Sequence, residues 1–348
     1  MTRTLRVAMS AAFVAAALGL VGCAGAGAGA VATAWPEAEA ERGYDRPIEF
    51  IRWPLTGELA SDFESTQVRV VSVKIENSPE SRAQSGLDQA DVVYETLTEG
   101  NITRFNAMFH SLSPEWIGPI RSARLSDAYI LPQYDPIFAH VGGQSQVMSR
   151  VRSAGVDDLD EFANGGAYHR TNDRPAPHNV YTSLEELREA ATDRGYEATQ
   201  STQPLQFELM SEVTSPTIVQ LTVPFGGGNT VVWDYDAEEN RYVRTQAGTV
   251  QKDRESGSEL VARNVIVMWS QQSSTSMRDA TGARALDIVL TGTGRTSVFR
   301  DGQRYDGTWT AEAGAPPRFA TDEGEPVLLG VGNTWIEVVP SSTNISMR

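Results

Sequence analysis

Arg82, Arg104, Arg121, Arg124, Arg170 and Arg174 lie near turns and element ends within residues 74–181 of a chain that otherwise favours acidic side chains. A guanidinium is a planar fork of N–H donors that grips a phosphate, sulfate or carboxylate through two parallel hydrogen bonds. Arg121 and Arg124 stand three apart just after Gly118-Pro119. If Pro119 opens a helix, both project from one side of its first turns, where free backbone N–H groups also favour an anion. His140 and His178 fall in the same region, with His169 between them, and add imidazole groups suited to acid–base chemistry. These residues form a candidate anion site. The competing use of the arginines is internal ion pairing with Asp91, Glu95, Glu99 or Asp127, because charge networks imitate sites.

Other chemistry has thinner support. His140 or His178 as general base, with Glu95 or Glu99 as acid, would suit a glycan hydrolase or transferase. There is no His-Glu-x-x-His and no compact ligand spacing, so no metal is expected. Gly143-Gln144-Ser145-Gln146-Val147 lacks the second glycine of a nucleophile elbow, and Gly292-Thr293-Gly294-Arg295 lacks the third glycine of a dinucleotide loop. No catalytic residue and no cofactor are therefore assigned. Trp233, Trp269, Trp309 and Trp335 could stack on sugars, although burial in a core is the commoner use of tryptophan.

The elements that must position these side chains fall into two parts. Residues 47–200 alternate strands and helices. Strands are expected over Val68–Ile75, Val92–Tyr94, Thr103–Phe109 and Ile137–His140, and helices over Ser122–Leu131 and Gln144–Arg152. Ser183-Leu184-Glu185-Glu186 is a capping box opening a further helix that runs to about Asp193, with Gly195 past its end. This part reads as an α/β domain with a mixed sheet. A Thr, Gln, Ser and Pro-rich stretch over residues 197–215 marks a boundary, and residues 210–342 read as short β-branched or aromatic runs between turns, a smaller antiparallel β domain. The fold class is therefore α+β or α/β, a mixed-sheet domain followed by a β-rich one.

At 348 residues, with 45 acidic and 29 basic side chains, the chain has a formal charge of −16, the wrong sign for nucleic-acid binding. Arg3 and Arg6 precede a small-residue apolar run that ends in Leu20-Val21-Gly22-Cys23. That is a signal segment, residues 1–22, whose end resembles a bacterial lipobox, with Cys23 as the lipidated residue that would carry a fatty acyl group such as palmitate. Residues 23–46, rich in Ala, Gly and acids, read as a tether. Cys23 is the sole cysteine, so disulfides, thiolate metal sites and cysteine nucleophiles are excluded from the folded part. The expected location is the extracytoplasmic face of a cell membrane.

Several segments have a recognisable order. Lys74-Ile75-Glu76-Asn77-Ser78-Pro79, Ala90-Asp91-Val92-Val93-Tyr94-Glu95, Ile102-Thr103-Arg104-Phe105, Gly118-Pro119-Ile120-Arg121-Ser122-Ala123-Arg124, His140-Val141-Gly142-Gly143 and Arg174-Pro175-Ala176-Pro177-His178-Asn179 resemble the YerB-type bacterial lipoprotein family. Gly307-Thr308-Trp309 and Gly332-Asn333-Thr334-Trp335-Ile336 resemble its second domain. Glu76, Ala83 and Asn101 depart from a usual Asp, Pro and Gly. The resemblance implies a membrane-anchored, extracytoplasmic two-domain protein of unassigned activity. Together these readings point to a noncatalytic lipoprotein that binds an anionic envelope glycan, a polyprenyl-phosphate carrier or a cell-wall synthesis protein. The alternatives are the acid–base enzyme above and a pure interaction scaffold.

Overall fold

The computed structural model describes residues 50–210, 215–278 and 282–348. The signal segment, Cys23 and the tether to residue 46 lie outside them. Residues 49–348 form one compact unit.

Its strands follow from runs of β-branched and aromatic residues. In chain order the main ones are β1 Val71–Glu76, β2 Val92–Leu97, β3 Thr103–Phe109, β4 Ile137–His140, β5 Asp157–Asp160, β6 Gln220–Gly226, β7 Asn229–Asp236, β8 Arg241–Gln246, β9 Asn264–Ser270, β10 Gln272–Arg278, β11 Arg284–Ile288, β12 Gly292–Arg300, β13 Gln303–Glu312, β14 Ala315–Thr321 and β15 Thr334–Pro340. Three α-helices accompany them: α1 Asp127–Ile130, α2 Ser145–Ser153 and α3 Leu184–Asp193. The α+β class holds, with an N-terminal mixed sheet carrying few helices and a C-terminal half that is β-rich and largely antiparallel.

One ten-stranded sheet runs through both halves in the order β14-β13-β12-β9-β15-β2-β3-β1-β4-β5. The halves join where β15 pairs in parallel with β2 on one side and with β9 on the other. β1, β2, β3, β9 and most of β15 are buried along their lengths, as strands covered on both faces must be. β6, β7 and β8 form an antiparallel meander whose side chains alternate between buried and half-exposed, so one face packs inward and the other meets water. β10 and β11 form a separate hairpin.

The helix expected over Ser122–Leu131 is largely absent. Residues 117–123 run extended instead, beside the stretch of β1 that β4 leaves unpaired. Glu76 N–H donates to Pro119 O at 2.9 Å, Arg121 N–H to Lys74 O at 2.8 Å and Ala123 N–H to Gly142 O at 3.0 Å. The edge of β1 and the residue Gly142 beyond β4 offer this segment backbone partners that a helix would forgo, and only the short α1 remains. The capping box is present: Ser183 Oγ accepts from Glu186 N–H at 3.1 Å, and the Glu186 carboxylate accepts from Ser183 N–H at 3.0 Å.

Two turns far apart in the chain share one design. Trp53 N–H donates to Glu58 O, Gly57 N–H to Trp53 O and Ala60 N–H to Ile51 O. The same three bonds recur from Asp253 to Ser258, Gly257 to Asp253 and Leu260 to Gln251. Gly57 and Gly257 both take φ of 70°, the left-handed conformation that closes each turn.

Candidate functional site

Strand alternation places Ser72, Lys74 and Glu76 of β1 on one face of the sheet. The register sets Lys74 opposite Asn106 and Glu76 opposite Arg104 of β3, and Thr96 of β2 opposite Arg104. The extended segment 117–123 then brings Arg121 and Arg124 to the same place.

Glu76 is shared: Arg121 Nε lies 3.2 Å from Oε1, and His178 Nδ1 lies 2.9 Å from Oε2. Arg124 Nε donates to Glu99 Oε2 at 2.7 Å. Lys74 Nζ, fully buried, donates to Asp127 Oδ1 and to Asn106 Oδ1, each at 2.6 Å. Asp127 Oδ2 also accepts from Arg124 N–H at 2.7 Å. Burial lowers the Lys74 pKa, opposed by the Asp127 charge.

Arg104 differs from its neighbours. It is only 5% exposed, its Nη1 donates to Ser122 O at 2.7 Å, and among the described residues no carboxylate lies within ion-pair distance of it. Its Nε–H has no partner, and neither does the Thr96 hydroxyl beside it nor the Asn106 amide nitrogen. Burial, then the charges of Arg124 and Arg121, pull its pKa down to about 9. In their usual charge states, Lys74, Arg104, Arg121 and Arg124 outnumber Glu76, Glu99 and Asp127 by one positive charge. A buried polar group without a partner costs free energy that a ligand or ordered water can recover.

Four of the eight candidate residues therefore converge: Arg104, Arg121, Arg124 and His178. Arg82 and Arg174 are spent on the nearby loop. Arg82 donates to Asn77 Oδ1 and Asn77 O, both at 3.0 Å, and Arg174 donates to Ser81 O at 2.5 Å and Ala83 O at 2.6 Å. Arg170 pairs with Glu161 at 2.8 Å. His140 is buried and stacked on Phe138, with Nδ1 at 2.9 Å from Gly142 O and Nε2 at 3.2 Å from Asp158. The expected placement of Arg121 and Arg124 on a helical first turn is corrected. The backbone N–H of Arg121 is taken by Lys74 O and that of Arg124 by Asp127, so the segment offers side chains rather than a helix N-terminus. Sequence reading passed over Lys74 and Glu76. Their signal was two charges at alternate positions in an apolar strand, VSVKIE, buried throughout.

The opposite face of the sheet carries a second buried cluster. Glu95 of β2 and Glu337 of β15 are register partners. Arg244 of β8 donates to Glu95 Oε2 at 2.6 Å, Thr103 Oγ1 donates to Glu95 Oε1 at 2.5 Å, and Trp233 Nε1 donates to Glu337 Oε1 at 2.8 Å. The Arg244 guanidinium lies over Phe105, Trp233 and Trp335 at 5.5, 5.8 and 5.2 Å. Burial, then the Glu95 charge, drives the Glu337 pKa well up, which favours its neutral form. Glu95 and Glu99 thus serve different arginines and do not form an acid–base pair. Among the described residues no group of three or more His, Asp or Glu side chains is placed to hold a metal.

Fold and site define a class: an α+β body whose halves complete one sheet and bury charge on both its faces. Residues 55–197 match the N-terminal domain, and residues 221–336 the C-terminal domain, of the DUF3048 family of proteins of unknown function. The chain belongs to this family. It is 32% identical over 294 residues to YerB of Bacillus subtilis (strain 168), a protein named as a lipoprotein, covering 83% of this chain and 86% of that one. It superposes on the crystal structure of the YerB protein from Bacillus subtilis with a TM-score of 0.76 at 32% identity, over 85% of this chain and 99% of the other.

Proposed function

We propose that the protein is a lipid-anchored extracytoplasmic lipoprotein, acylated at Cys23, that binds an anionic cell-envelope ligand without transforming it. The lipobox-like end of the signal segment and a relative named as a lipoprotein support the anchor. The observation that carries the binding reading is Arg104, a buried guanidinium between Arg121 and Arg124 with a free Nε–H and no carboxylate of its own. A phosphate accepts several charge-assisted hydrogen bonds at once and matches such a set of donors. Phosphate-linked glycans and polyprenyl phosphates supply that group; a cell-wall synthesis protein is the other partner class.

The test is a thermal-shift titration of the protein with undecaprenyl phosphate in detergent and with a phosphate-bearing glycan. A ligand at about 100 times its Kd contributes roughly 2.7 kcal/mol. The shift should disappear in Arg121→Ala/Arg124→Ala, judged against that variant's own ligand-free midpoint because both residues also hold ion pairs. An equal shift in the variant, or none in the parent, overturns the reading. At the His178–Glu76 contact acid–base chemistry meets the arginine cluster, and turnover of a bound glycan that is lost in His178→Ala would favour an enzyme instead.

A further inference from the structure

A groove of about 530 Å³ opens where the chain leaves the parallel strands β9 and β15, between Trp269, Ser270 and Gln271 on one side and Thr293, Gly294 and Arg295 on the other. Thr291 and Ser341 also line it. Among the described residues Arg295 has no carboxylate within ion-pair distance. It is exposed, and its guanidinium lies flat on the Trp269 indole, 3.8 Å from the ring centroid. Both indoles at the groove are locked in place. Trp269 Nε1 donates to Thr343 O at 2.8 Å, and Trp309 Nε1 donates to Trp269 O at 3.1 Å. The Trp309 ring is packed so closely on Gly294 that a Cβ there would stand 2.7 Å from it. Trp269 therefore holds Arg295 in one plane, and a pre-held fork loses less entropy when it binds. In contrast, the side chains of Gln271, Thr291 and Ser341 have no hydrogen-bond partner among the described residues, so they are free for a ligand.

We infer that this groove binds a saccharide carrying a carboxylate. A single fixed guanidinium matches the charge and planar shape of one carboxylate through two parallel hydrogen bonds. The uncommitted amide and hydroxyl groups match sugar hydroxyls in both roles, as donors and as acceptors. The volume exceeds what one small carboxylate would fill and lies within the range of small-ligand sites. The site is separate from the arginine cluster and does not depend on it.

The test is calorimetric titration of the full chain with hyaluronan tetrasaccharide, whose glucuronic acids carry carboxylates, and with neutral chitotetraose, with tryptophan fluorescence as a second readout. Saturable binding of the acidic sugar is expected, at least tenfold tighter than the neutral one. Arg295→Ala should weaken it at least tenfold, and Arg295→Lys should fall between. Arg295 is exposed, so these variants are expected to fold, which the ligand-free melting midpoint verifies. Failure of the acidic sugar to saturate by about 10 mM, a Kd weaker than a useful specific site, overturns the inference. Equal binding of the two sugars or unaltered binding in Arg295→Ala overturns it as well.

Discussion

Arg244 and Glu95 meet at 2.6 Å with both side chains wholly inside the protein. One comes from each half of the chain, so the contact fastens the meander to the central sheet. Removing one partner of a buried pair costs more than the pair is worth, because the survivor keeps its desolvation penalty. Arg244→Met should destabilise the fold by about 3–5 kcal/mol, and adding Glu95→Gln to it should restore part of that loss. Urea denaturation of the two variants measures both.

Glu337 stands beside this pair with its pKa driven well up by burial and by the Glu95 charge, which favours the neutral acid. Its amide should replace it well. Glu337→Gln keeps the oxygen that accepts from Trp233 and is expected to cost under about 1 kcal/mol, the usual scale of one neutral hydrogen bond. Glu337→Lys, which puts an unmatched cation in the same place, should prevent folding. A similar loss for both would show that Glu337 is ionised.

His110 and Asp91 make the acid response of the protein a contest. Burial holds the His110 pKa at about 4 against an ordinary 6.5. A group depressed in the fold contributes stability above its unfolded pKa, and this contribution is lost as pH falls from 6.5 through 4, about 3 kcal/mol in all. Burial pushes Asp91 up to about 6 against 3.8, despite the N–H groups of His110 and Ser111 that its Oδ2 accepts at 2.5 and 3.0 Å. A raised acid gives stability at low pH that is lost as pH rises through 6, so its sign is opposite over the same window. The parent should change little between pH 6.5 and 4. His110→Phe, which keeps a ring against Trp53, should grow more stable on acidification, as urea midpoints at several pH values would reveal.

Gly307 allows β13 and β14 to approach: a Cβ there would lie 1.9 Å from Ala320 O. Neither backbone can yield without breaking the ladder that joins Gly307 to Thr321. Gly307→Ala should cost at least about 2 kcal/mol, at the upper end of overpacking penalties. Chemical denaturation would measure it.

Local patterns were read well where a segment's own residues decide its shape. The run TRFNAMF is a strand over Thr103–Phe109, and the Ser183/Glu186 capping box starts its helix. The start of the helix expected over Ser122–Leu131 is extended because residues distant in sequence take its backbone N–H groups, Lys74 of β1 that of Arg121 and Gly142 that of Ala123. The joining of the halves was invisible for the same reason, since nothing in VVYETL or TWIEVV names the other. At the site, the arginines were found from residue type alone. Of the carboxylates expected as their partners Glu99 holds Arg124, whereas Glu76, which holds Arg121, was not among them. His140 looked like a site residue until its ring was seen to serve Gly142 and Asp158.

The position of β15 between β2 and β9 sets a schedule for the growing polypeptide. Residues 334–340 are made more than two hundred residues after β2, yet they occupy the middle of the sheet and supply its parallel neighbour. Until they emerge, β2 has an open side, and partners so far apart in sequence come together slowly. The early residues must wait without their final neighbour, exposed to wrong pairings and to proteases. A nascent chain halted before residue 334 should therefore be digested in its first half as well as its second, and extension until residues 334–340 are free to pair should protect both at once.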